Sequence, residues 1–148
     1  MRPPTGGAGS ADAPLPLRHV LTLPTEGAAV RLARETAELV LAEWGVPRHH
    51  PSVGPALLIL SELVTNSVRH AAALSETVTV VYTAGRGTFA FAVGDRHPYQ
   101  PSLYGTHATG QGTGLATVVE LTLSLGGTAV VRGVRDGRGK SIWITLPL

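Results

Sequence analysis

Cysteine is absent from the 148 residues, which excludes a disulfide framework and a thiolate metal site and fits a cytoplasmic protein. Long apolar runs are absent too. None approaches the roughly 20 residues that a membrane-spanning helix needs, so the chain is expected to be soluble, with no membrane partner. The opening MRPPTGGAGSADAP lacks the apolar core of a signal peptide. Charge is scarce and balanced. The formal net charge is +2, and the basic residues stand singly: Arg31 and Arg34 in one segment, Arg132, Arg135, Arg138 and Lys140 near the end. Without a basic stripe, no direct nucleic-acid interface is expected. There is no internal repeat, and the length suits one domain with a sizeable core. Asparagine occurs once, at Asn66.

Residues 1–16 are rich in Pro, Gly and Ala with almost nothing to bury, so they read as a disordered arm ahead of a folded domain over residues 17–148. In LRHVLTL, residues 17–23, Leu17, His19, Leu21 and Leu23 alternate with Arg18, Val20 and Thr22, which predicts a strand ended by Pro24. Thr25 is expected to cap a helix. In it Val30, Ala33, Ala37, Val40, Leu41 and Trp44 recur at helical spacing up to Gly45. GVPRHHPSVGP, residues 45–55, reads as a loop, and His49 and His50 within it as a solvated pair rather than metal ligands.

The stretch LLILSELVTNSVRHAA, residues 57–72, predicts the central helix. Leu57, Leu60, Val64, Val68 and Ala71 form one apolar stripe, and Glu62, Asn66 and His70 follow each other at i, i+4 and i+8 on the opposite ridge, with Arg69 beside them. Such a ridge is by default a solvated face. Asparagine is a poor helix-interior residue, however, because its amide competes for backbone groups, and a position that tolerates it usually uses that amide. Leu58 and Ile59 make the outward side of the first turn apolar, so a ligand or partner is expected to cover that end.

ETVTVVYTA at 76–84 and TFAFAV at 88–93 predict a hairpin around GRG, with Gly94 and Asp95 at the end of its second strand. RHPYQPSLYGTHATGQG, 96–112, has no hydrophobic period, and a loop of that length in a compact domain reads as a lid or binding loop. A helix at 114–125 and strands at 128–134 and 141–146, joined by RDGRGK, complete the order β α α β β lid α β β. The fold class is α+β: a two-layer sandwich of a mixed, mostly antiparallel sheet with helices on one face.

Gly110, Gly112 and Gly114 precede a helix, where backbone N–H groups and the helix N-terminus favour a phosphate, although Gly-x-Gly also marks ordinary turns. Asp95 at a strand end can accept hydrogen bonds from an exocyclic amine such as that of adenine, or can be a plain turn aspartate. Asn66 can offer its carbonyl oxygen to Mg²⁺, which prefers hard oxygen ligands. Glu62 could orient or deprotonate a nucleophile near a terminal phosphate.

These residues together resemble the GHKL superfamily of Bergerat-fold (histidine-kinase-ATPase-like) ATPases and kinases. ELVTNSVRHA at 62–71 is similar to its N-box, VGDRHP at 93–98 to its adenine-binding G1 box, GQGTGLATVVE at 110–120 to its G2 box after the ATP lid, and GKSIWITLPL at 139–148 to its final strand. The short single-domain form resembles actinobacterial anti-sigma-factor serine kinases. The resemblance implies ATP and Mg²⁺ as cofactors, Asn66 on the metal, and Glu62 as the catalytic, activating carboxylate. It implies Arg69 and His70 near phosphate or ribose, and Asp95 on the adenine amine. Gly110, Gly112, Thr113, Gly114 and Leu115 would hold phosphates and fix the lid, and Thr145 would lie near adenine. One departure stands out: Arg96-His97-Pro98 replaces the D-x-G-x-G run of many members.

The function expected on this resemblance is an ATP-dependent protein serine kinase that phosphorylates an anti-sigma antagonist, with a sigma factor or that antagonist as partner, acting as a homodimer. The altered G1 box motivates an alternative, a non-catalytic or nucleotide-free module that sequesters a sigma factor or another transcriptional regulator. A histidine kinase ranks lower, because such domains usually carry asparagine where Glu62 stands.

Overall fold

The structure, a computed structural model, describes residues 17–71, 75–96, 113–133 and 139–148. Strand β1 (Leu17–Pro24) is followed by helices α1 (Ala28–Glu43) and α2 (Val53–Ala71) and strands β2 (Thr77–Gly85) and β3 (Thr88–Asp95); helix α3 (Thr113–Ser124) and strands β4 (Thr128–Gly133) and β5 (Lys140–Pro147) complete the order. The expected succession of helices and strands is present. One five-stranded sheet runs β1-β2-β3-β5-β4, and every pairing in it is antiparallel.

Period-two alternation decides which strand residues meet the helices. On β2 these are Val78, Val80, Tyr82 and Ala84, on β3 Phe89, Phe91 and Val93, and on β5 Ile142, Ile144 and Leu146, all buried. Continuing by two, the β3 series arrives at Asp95 and the β5 series begins at Lys140. A carboxylate and an ammonium therefore close the core side of two otherwise apolar strands, directly opposite each other in register. The Tyr82 hydroxyl donates to the Ala33 carbonyl oxygen at 2.8 Å, tying β2 to α1, and burial pushes its pKa well above the ordinary tyrosine range.

Three local expectations are corrected. Thr25 does not cap α1: Gly27 holds the N-cap position without a side-chain bond, and the Thr25 hydroxyl donates to the Ser75 carbonyl at 2.7 Å. Helix α2 begins at Val53, inside the predicted loop, because Pro55 falls in the first turn, where its missing N–H breaks no intrahelical bond. Ile59 is fully buried while Leu58 is 47 % exposed, so the protein's own core covers the Ile59 side of the ridge. This follows from position, since α2 packs on α1, α3 and β3 together and needs an apolar surface wider than one stripe.

Helix α1 stops where expected. Gly45, at φ 85°, takes the left-handed conformation, and the bonds from Gly45 N–H to the Ala42 carbonyl and from Val46 N–H to the Leu41 carbonyl close the last turn. The β2–β3 hairpin turns through Arg86 and Gly87, both at positive φ, the combination that matches strand twist in a two-residue turn.

Candidate functional site

Helix α2 packs on β3 and brings Ser67 to the last residue of that strand. Ser67, the residue after Asn66, is buried, and its hydroxyl donates to Asp95 Oδ2 at 2.7 Å. From the other side, Lys140 Nζ donates to Oδ1 at 2.7 Å and to Oδ2 at 2.9 Å. The Asp95 carboxylate is thus held by a helix, by its own strand and by β5. One more bond fixes the backbone beyond it. The Ser75 hydroxyl accepts from Arg96 N–H at 3.0 Å and donates to the Thr77 carbonyl at 2.7 Å.

Glu62 and Asn66 are half-buried on α2, and no described residue partners either the carboxylate or the amide. Arg69 and His70 are exposed in the last turn, where positive charge suits the helix dipole whatever else it does. Leu115 is buried at the start of α3, whose helix opens at Thr113 and Gly114. Gly110, Gly112 and the expected lid, like the expected arm at 1–16, lie outside the described residues.

Thr145 does not join this group. It pairs with Ala90, five positions along β5 from Lys140, roughly 16 Å away at strand rise, and alternation turns it to the face opposite the helices. Of the two loop histidines, His49 is exposed and His50 half-buried, and His50 Nδ1 accepts from Ser52 N–H at 3.1 Å. A groove of about 450 Å³ lies elsewhere, lined by Glu35, Glu38, Leu39 and Arg48 among others, and it contains none of the expected site residues.

Two participants were missed in the sequence, Ser67 and Lys140. Each had a signal. Ser67 is a polar residue on the core side of α2, and Lys140 is the chain's single lysine, placed where an apolar strand begins.

The donor set suits a purine nucleotide. Asp95 already accepts N–H donors at 2.7–2.9 Å from a nitrogen, the contact an exocyclic amine would make. Asn66 offers a hard oxygen and Glu62 a carboxylate one turn away, a sparse set of the kind Mg²⁺ takes when phosphates and water fill its remaining positions.

Comparison with known proteins gives the family and the fold. A family model described as "Histidine kinase-, DNA gyrase B-, and HSP90-like ATPase" matches residues 54–148. Among solved structures, the RsbU and RsbW domains of Rv1364c from Mycobacterium tuberculosis are similar at 25 % identity and a TM-score of 0.65, over 88 % of this chain and 32 % of that one. Full-length ShkA in complex with AMPPNP is similar at 23 % identity and TM-score 0.58, over 87 % and 31 %. The histidine kinase domain of a blue-light-activated kinase from Erythrobacter litoralis follows at 19 % and 0.53, over 84 % and 61 %. The chain spans about a third of the length of the first two. No curated protein sequence matches it.

Proposed function

The chain belongs to the family of histidine kinase-, DNA gyrase B- and HSP90-like ATPases, and from that membership we propose an ATP- and Mg²⁺-dependent protein serine kinase that regulates a sigma factor by phosphorylating its antagonist. One observation carries the proposal: Glu62 and Asn66 stand one turn apart on α2, unpartnered among the described residues, and the residue after Asn66 bonds to Asp95. In this reading Asn66 holds Mg²⁺ and Asp95 receives the base. Glu62 draws the proton from a substrate serine hydroxyl as it attacks the terminal phosphate. The N-terminus of α3 lies near the phosphates, with Arg69 and His70 at the rim. Bound ATP supplies the transferable phosphoryl group; the side chains position it and the hydroxyl.

The likeness to a structure containing an RsbW domain supports the regulatory assignment, as does the motif resemblance to anti-sigma-factor kinases. No helix among the described residues is long and apolar enough to cross a membrane. Two experiments test the proposal. Calorimetry with ATP, with and without Mg²⁺, tests nucleotide binding, and transfer of labelled phosphate to a candidate antagonist tests the kinase activity. Sedimentation tests the homodimer.

A second reading, a regulator that sequesters its partner without catalysis, is favoured by the engagement of Asp95 by Lys140 and by Arg96-His97-Pro98 in the G1 box. Tight sigma-factor capture without phosphate transfer would select it.

A further inference from the structure

Lys140 is the only lysine in the chain, and its ammonium sits on the carboxylate assigned above to the nucleotide base. Of the two side chains, Asp95 is 1 % exposed and Lys140 13 %. The carboxylate is hidden, and the lysine is the more exposed member of the pair. Both Asp95 oxygens already accept from Lys140, and Oδ2 accepts from Ser67 as well. An exocyclic amine approaching this carboxylate meets a positive donor in the place where its own donor has to go.

The neighbours of Lys140 permit it to leave. Directly across β5 it faces Asp95 on β3, while its partner on β4 is Gly133, which has no side chain to hold the lysine stem in place. Lysine carries a strongly hydrated point charge on a flexible four-carbon stem, so water receives an ammonium that leaves the pair, and the donor that replaces it has to satisfy the buried carboxylate. Ser67 differs. It is buried on α2, and its hydroxyl donates to Oδ2 at 2.7 Å.

We propose that Lys140 is an internal competitor for the base subsite: its ammonium occupies the Asp95 carboxylate in the nucleotide-free protein, and a purine amine enters by displacing it, which sets nucleotide affinity. This rests on the nucleotide reading of the site given above. The ammonium and the amine exchange as hydrogen-bond donors, and no covalent bond forms or breaks.

The single lysine makes the test direct. In wild-type protein with isotope-labelled lysine, the one side-chain signal should move further on saturation with ATP than with tripolyphosphate, which has phosphates and no base. Lys140→Met and Lys140→Gln should each raise the ratio of ATP affinity to tripolyphosphate affinity by about tenfold, measured by calorimetry on variants whose circular dichroism matches wild type. Comparing the ratio removes the loss of attraction between Lys140 and any polyanion. In an Asp95→Asn background the same substitutions should leave the ratio unchanged. A lysine signal that moves no further with saturating ATP than with tripolyphosphate overturns the proposal, as does a ratio that stays level or falls in both variants, while the nucleotide reading survives. If neither wild type nor variants bind ATP, the nucleotide reading fails and the competitor role fails with it. The signal measurement needs no variant, so it stands even if both substitutions disturb folding.

Discussion

The Ser67 hydroxyl donates to Asp95 Oδ2 at 2.7 Å, and this buried bond joins the middle of the helical layer to the last residue of β3. Ser67→Ala deletes a donor from an ionised carboxylate and leaves the acceptor to Lys140. A bond of this charge-assisted kind is worth about 1.5–3 kcal/mol, so urea unfolding should show a loss of that size. An unchanged midpoint would mean that Asp95 is held as well without Ser67 as with it.

Asn66→Ala removes the one amide on α2 available to a cation. Nucleotide affinity in the presence of Mg²⁺ should fall by about tenfold or more, toward the value measured with a chelator. Wild-type Mg²⁺ dependence in the variant would remove the metal role from Asn66.

Glu62→Gln keeps the shape of the side chain and discards the base. Because an activating group acts in the transition state, ATP affinity should hold while phosphate transfer to the antagonist falls by about 10²–10⁴-fold. Transfer at the wild-type rate would reduce Glu62 to a surface carboxylate.

Tyr82→Phe separates two effects by pH. At neutral pH the variant should lose about 0.5–1.5 kcal/mol, because the Ala33 carbonyl loses the hydroxyl that donates to it. Burial raises the Tyr82 pKa in the folded protein, so above about pH 10 only the unfolded chain ionises this phenol. The contribution is whole below the unfolded value and drains away as pH climbs toward the folded one. Wild-type stability should therefore drop by about 1.4 kcal/mol per pH unit in that window relative to the variant. Urea midpoints that stay parallel at pH 7 and pH 11 would contradict it.

Much of the fold was legible because it is written in periodicity. Alternation in β2 and β3 and the three-to-four spacing in α1 and α2 each survive in a single chain. Local expectations failed where a distant partner decided the outcome. Thr25 looked like a cap until Ser75 offered its carbonyl, and Ile59 looked outward until three elements enclosed α2. At the site, Glu62, Asn66 and Asp95 were visible as residues whose chemistry does not suit their places. Lys140 and Ser67 were not, because their role comes from the register of β3 against β5 and the docking of α2. A shift of one residue would turn Lys140 to the other face. Thr145, placed near adenine by resemblance, falls to that same rule.

The pairing of β1 has a kinetic consequence. Leu17 lies opposite Ala84 and Pro24 opposite Thr77, so the chain returns to its first strand only after laying down both α1 and α2. The β2–β3 hairpin can zip locally through Arg86 and Gly87, whereas β1 waits for a long loop to close. With one neighbour and most of its side chains exposed, β1 should be the last strand to join and the first to open, its amides exchanging with solvent ahead of those of β3.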